Sequence, residues 1–235
     1  MNATKIIWSN DFRTIIRDRT AAGLLLVPLI FLVILRFGIP VLQRQWPELS
    51  AYTTVLLALF CVIAGMFPAF VMASIMIDER DQGLVSAFKV LPLSAARFLW
   101  SRVAMATVLG LLYSLLLVLG AGVGSYGLIR ALMLSMLCAA GGVAALLAAV
   151  SIARNKIECL TTFKALFVLA AMGATGALGS FEGWNRVPAV LPTYWVFAAF
   201  DATDSSGFVA TAALAALLYA LVIAIVFRLF RRNLF

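Results

Sequence analysis

One stretch of this chain has residue types and spacing that could do chemistry in water: Asp78-Glu79-Arg80-Asp81-Gln82-Gly83, followed by Leu84 to Ser94. Leu84, Ala87, Phe88 and Leu91 fall at i, i+3, i+4 and i+7, one stripe of a helix. Asp78, Glu79 and Asp81 would load the amino-terminal end of that helix, where carboxylates suit the helix dipole. Pro92 would stop it, and Ser94 is placed to cap the next helix. The chemistry on offer is recognition by an apolar stripe beside a charged cluster. A solvated loop with a short surface helix is the alternative, but Phe88 and Leu84 are costly to expose, so lipid or a partner should cover them. The acidic cluster suits anionic headgroups poorly, which favours a partner.

Catalysis is argued against residue by residue. The chain has no histidine, which removes Ser-His hydrolysis, HExxH zinc proteolysis and ordinary haem ligation by His. No glycine is followed by lysine, so a P-loop is impossible and ATP is not hydrolysed through one here. Asp and Glu are absent from the apolar interiors, where an intramembrane aspartyl protease or a proton-coupled transporter would need them. Cys61 and Cys138 lie within apolar runs and Cys159 near the cytoplasmic face; three such thiols make no disulfide framework and read as buried structural residues. The expectation is a non-enzyme with no catalytic, cofactor or metal residues of its own.

The elements that must position the charged stretch are written in the composition. Hydrophobic residues make up 64% and charged residues 12% of 235, against about 25% charged in a soluble domain. Runs from about Ala21 to Leu42, Ala51 to Ile77, Phe98 to Val123, Ala131 to Ala153, Phe163 to Phe181 and Phe208 to Phe227 are long enough to span a bilayer. They are continuously apolar, without the alternation of a strand barrel, and backbone groups in lipid must be satisfied within each segment. An all-α polytopic membrane protein of one domain, residues 1–235, with six transmembrane helices is expected.

Sidedness follows from the cations. Lys5, Arg13, Arg17, Arg19, Arg80, Lys89, Arg97, Arg102, Arg154, Lys156, Lys164, Arg228, Arg231 and Arg232 fall on one side; Arg36, Arg44, Arg130 and Arg186 fall on the other. The positive-inside rule puts both termini in the cytoplasm, as an even number of spans requires. The net charge of +8 is then a topology signal rather than a nucleic-acid footprint. No cleavable signal is evident, since Asp11, Arg13, Arg17, Asp18 and Arg19 stand where its apolar core would be.

Thr4 to Arg19 reads as an interfacial amphipathic helix. Trp8, Phe12, Ile15 and Ile16 recur at helical spacing, with Lys5, Arg13 and Arg17 on a polar face. It is either a basic anchor or a lever on span one. Arg36 is the exception inside the spans, close enough to the outer end to snorkel. Gly141-Gly142 and the glycines at 173, 176 and 179 point to tight helix packing rather than a substrate groove. Pro28, Pro40 and Pro68 can bend spans one and two. Val187 to Phe200 is apolar but too short to span, and fits a re-entrant or interfacial element carrying Tyr194 and Trp195 at headgroup depth.

These features together resemble the permease subunits of type 2 ABC exporters over nearly the whole length. The most specific part is DERDQGLVSAFKVLPLSAARFLWSR at 78–102. It is similar to the family's acidic residue, following Gly, short amphipathic helix and Pro-Leu-Ser turn, here Glu79, Gly83, Leu84 to Leu91 and Pro92-Leu93-Ser94. RNKIE at 154–158 and LPTYW at 191–195 resemble the drug-export branch, such as fluoroquinolone-type permeases. Family members often carry Thr after the motif glycine and before the turn, where this chain has Leu84 and Leu91.

The resemblance implies a cytoplasmic-membrane permease moving an amphipathic or apolar drug, peptide or lipid. The stretch between spans two and three becomes a coupling helix. Glu79, Arg80, Gly83, Leu84, Ala87, Phe88, Leu91 and Pro92 would dock a separate ABC ATPase, present in two copies and carrying the ATP and magnesium. The permease would pair with itself or with a paralogue, in lipid and without nucleic acid. Trp8, Phe12, Arg13, Ile16 and Arg17 would form the interfacial helix. The competing readings are an ATP-independent secondary transporter, which would need buried acids or unwound half-helices at mid-membrane, and a membrane scaffold.

Overall fold

The computed structural model describes residues 3–82, 95–176 and 188–234. Gly83, Leu84, Ala87, Phe88, Leu91, Pro92 and Ser94 of the expected coupling helix, and Gly179, Trp184 and Arg186, lie outside the described residues.

Among the described residues every regular element is helical. Helix α1 is Ala3–Arg17, and Asp18 separates it from α2, Arg19–Gln45. A 3₁₀ segment at Pro47–Tyr52 leads into α3, Thr53–Asp81. Then come α4, Ala95–Gly120, α5, Leu128–Ile152, and α6, Lys156–Met172, which ends in a 3₁₀ turn at Gly173–Gly176. The ten-residue α7, Pro192–Asp201, precedes α8, Ser205–Leu234. Among the described residues six helices are long and apolar enough to cross a membrane, the number expected, and the chain is a multi-pass membrane protein.

At the charged ends of α3, α6 and α8 the helix outruns the apolar segment that announces it. The clearest shift is α6, expected from Phe163 and found from Lys156. Asn155 caps it by accepting from the Glu158 amide at 2.9 Å, while the Glu158 carboxylate accepts from the Arg154 amide at 2.8 Å. That reciprocal cap starts the helix inside the charged RNKIE stretch. Inside α2 the ladder widens to a π-turn at Ile34–Gly38, where the Ile39 amide reaches the Ile34 carbonyl. Pro40 supplies the cause, since it has no N–H for the carbonyl four residues earlier.

Helices α3 and α5 form the interior and pack against each other and α4, while α2 and α8 lie outermost. The crossing is close because of glycine: a Cβ on Gly142 would collide with the Gly65 carbonyl oxygen, and one on Gly65 would stand 2.6 Å from the Cys138 carbonyl oxygen. Backbone-to-backbone contact of this kind is how apolar helices associate in lipid. A second seam is aromatic. Phe31 of α2 stacks on Phe60 of α3 at 4.4 Å, Phe67 meets Phe167 of α6 at 5.6 Å, and Phe70 meets Phe163 edge-on at 5.0 Å.

Candidate functional site

Asp78, Glu79 and Arg80 are the last charged residues before the 83–94 stretch, apart from Asp81. They sit in the final turns of α3 rather than at the start of a new helix, because nothing between Ile77 and Gln82 breaks the helix. Carboxylates at a helix carboxy end oppose its dipole, so they need cations, and the fold supplies them. Successive residues point about 100° apart on a helix, and these three reach three different neighbours.

Glu79 turns to Arg102 in the second turn of α4. The two guanidinium terminal nitrogens donate to the carboxylate at 2.5 and 2.7 Å. Arg102 also donates to Asp11 of α1, from Nη2 at 2.8 Å and Nε at 3.2 Å. Arg102 and Asp11 are each 1% exposed. A planar, always-charged fork matched to two carboxylates is the arrangement that compensates desolvation. Arg80 donates to the carbonyls of Val150 and Ala153 at the carboxy end of α5, satisfying groups the helix leaves open. Asp78 accepts from Lys156 at the start of α6 at 3.0 Å, and Asp18 stands 3.6 Å from the same ammonium. These last pairs are half-exposed and each contributes about 0–1 kcal/mol.

Glu79 and Arg80, expected on a docking face, thus have partners on their own chain. Asp18 caps α2 by accepting from the Thr20 and Ala21 amides at 2.9 and 3.2 Å. Those bonds, the Ala21 amide first and Lys156 after, hold its carboxyl below the usual carboxylate range despite partial burial. A second tie joins α1 to α4: the Trp8 indole donates to the Ser101 carbonyl at 3.2 Å. With Asp11 and Ile15 turned into the bundle, Phe12, Arg13, Ile16 and Arg17 face outward. Trp100 beside Phe227 at 5.6 Å brings the carboxy half of α8 to the same end.

A cavity of about 290 Å³ opens between the α1–α2 elbow, α3 and Lys156. Its walls are Ala21, Leu24, Phe70, Val71 and Ile75, with Ser74 among them and Asp18, Asp78, Glu79 and Lys156 around it.

At the opposite end Arg130 holds α7. Its Nη2 donates to the Ala199 and Ala202 carbonyls, and its guanidinium lies 4.5 Å over the Phe208 ring. The Tyr126 hydroxyl donates to the Phe200 carbonyl at 3.1 Å, and burial pushes that phenol above its ordinary range. Arg36 is exposed on the π-turn of α2 and lies over Gly122, whose φ is +73.

In the sequence Arg102 reads only as one of the cations setting sidedness, although it lies within the run from Phe98 to Val123. An ionisable residue in a span demands a partner, and that signal was available. Asp11 was hidden among the arginines of α1; its i, i+4 spacing with Ile15 marks the inward face. Cys61, Cys138 and Cys159 are free and buried. Among the described residues no group of three or more Cys, Asp or Glu could hold a metal ion.

A protein-family model described as fluoroquinolones export permease protein Rv2686c-like matches residues 11–228. Two curated relatives come from Mycobacterium tuberculosis: "Fluoroquinolones export permease protein MT2760" of strain CDC 1551 / Oshkosh, and "Fluoroquinolones export permease protein Rv2686c" of strain ATCC 25618 / H37Rv. Each is 27% identical over 205 residues, covering 84% of this chain and 81% of the relative. No solved structure matches.

Proposed function

The chain belongs to the Rv2686c-like family of fluoroquinolones export permeases, and from that premise we propose that it is the membrane subunit of an ATP-driven drug exporter. A separate ABC ATPase docks on the 83–94 stretch, with Phe88 and Leu84 seated in its groove as a helix seats its i, i+4 anchors. Both termini and this stretch face the cytoplasm of the inner membrane. Two copies of the permease, or this chain and a paralogue, meet two ATPases, which carry the ATP and magnesium. The cargo is amphipathic, and the relatives' names favour a fluoroquinolone-type drug.

The observation that carries this reading is the Arg102 clamp. Glu79 and Arg102 stand on either side of the 83–94 stretch and are bound to each other, and Arg102 is also bound to Asp11 of α1. A displacement applied to that stretch pulls on α4 and α1 as well as α3, through the bidentate Glu79–Arg102 pair and the buried Arg102–Asp11 bond. A scaffold has no need of such a linkage beside an apolar stripe. A device that converts an external push into helix movement does.

The test is a tagged pull-down from native membranes in mild detergent, read by mass spectrometry. A P-loop ATPase recovered in about equal amount is the expected result. An ATPase-free oligomer would overturn the reading.

A further inference from the structure

The cavity between the α1–α2 elbow and α3 has the make-up of a ligand site. Its floor is apolar: Phe70, Val71 and Ile75 are all buried residues of α3 that nonetheless line open space. Its rim is charged and unbalanced. Of the three carboxylates among the described residues around it, Glu79 is committed to Arg102, which leaves Asp78 and Asp18, the latter also capping α2, sharing the one ammonium found there among the described residues, that of Lys156. A volume of about 290 Å³ is near the lower end of drug-sized sites, about 300–1,000 Å³. Phe70, steadied edge-on by Phe163, starts the aromatic seam that continues through the half-buried Phe167, Phe67 and Phe31 between α2, α3 and α6. An apolar pocket with a few convergent polar groups is where small molecules bind.

We infer that this cavity is the loading site of the permease, and that it takes an amphipathic molecule with a cationic amine, the amine on Asp78 and Asp18 and the apolar body on Phe70. Lys156 is the displaceable latch: it occupies the carboxylates when the site is empty, and turns to any carboxylate on the cargo when the amine takes its place. A zwitterion pairs with Asp18, Asp78 and Lys156 alike, a pure cation only with the two carboxylates, and a pure anion only with Lys156 while the acids repel it. This rests on the proposed export function for its biological meaning, but its physical content is a binding preference of the permease alone.

The test uses the full chain in phosphatidylcholine nanodiscs, whose lipid carries no primary ammonium. Three probes are titrated: a zwitterionic fluoroquinolone, its methyl ester, which keeps only the amine charge, and its N-acetyl form, which keeps only the carboxylate. The wild type is expected to bind the first two more tightly than the third. Asp78→Asn should weaken the zwitterion and the ester by about tenfold and spare the N-acetyl form, the size expected for one charged hydrogen bond. Lys156→Ala should do the reverse, tightening the ester and weakening the N-acetyl form. Phe70→Ala should weaken all three. Lys156 is half-exposed, so its removal leaves folding intact.

Equal effects of the charge variants on all three probes, or none on any, would overturn the inference. Displacement of the zwitterion by phosphatidylethanolamine added to the nanodisc would assign the cavity to lipid and also overturn it. Neither result touches co-purification of the ATPase, and loss of the ATPase would leave the charge preference standing, so the two readings fail separately.

Discussion

Arg102 grips Glu79 through both terminal nitrogens, at 2.5 and 2.7 Å, across 23 residues of chain. The residues between them include the stretch proposed to meet the ATPase. Because the same guanidinium also holds Asp11, three helices share one buried charge.

Breaking that clamp from one side should be expensive. Arg102→Ala leaves Asp11 buried without its cation, a loss of about 3–5 kcal/mol. The combined change Asp11→Leu, Glu79→Gln and Arg102→Leu removes the charges together and should recover most of that stability. Thermal unfolding in detergent compares the two; a single variant as stable as the triple would deny that the network is desolvated.

The junction of α3 and α5 gives a cleaner packing prediction. Gly65→Val has no room, since even a Cβ would press on the Cys138 backbone. Expression and folded yield should collapse. Gly23→Ala, at a helical position with nothing within 4 Å, should be neutral or stabilising by about 0.5–1 kcal/mol.

Much of this was legible in the chain. Continuous apolar runs announce the six spans, and RNKIE at 154–158 with LPTYW at 191–195 resembles the drug-export branch. The clamp was not legible, because Asp11 and Arg102 are 91 residues apart and only the docking of α1 against α4 brings them together. The acids at 78–81 read in sequence as opening a helix, whereas they lie in the last turn of α3, for a related reason. A dipole argument favours the start of a helix, and only tertiary partners make its carboxy end acceptable.

Asp18 carries a pH dependence of known sign. Its folded-state carboxyl titrates below the ordinary value, so its capping contribution, about 1 kcal/mol, is complete above pH about 4. It fades as pH falls through the folded pKa. Asp18→Ala should therefore be less stable than wild type at neutral pH, and the two should converge in strong acid. Asp18→Asn keeps an acceptor and should lose little at neutral pH. Melting curves across this range check all three.

At the opposite end, Arg130 secures the carboxy end of α7 through two carbonyls. Arg130→Ala should cost about 2 kcal/mol of local stability and speed hydrogen exchange over 192–201 while leaving α3 and α5 protected. Unchanged exchange in α7 would show that Tyr126 and packing suffice.

The most direct test of the proposed function is transport per ATP in proteoliposomes holding the permease with its co-purified ATPase. Wild type is compared with the stable triple variant at Asp11, Glu79 and Arg102. If the clamp carries the stroke, the triple variant still binds the ATPase and hydrolyses ATP but moves at least about tenfold less drug per ATP. Equal drug per ATP in a folded, ATPase-bound triple variant would contradict it.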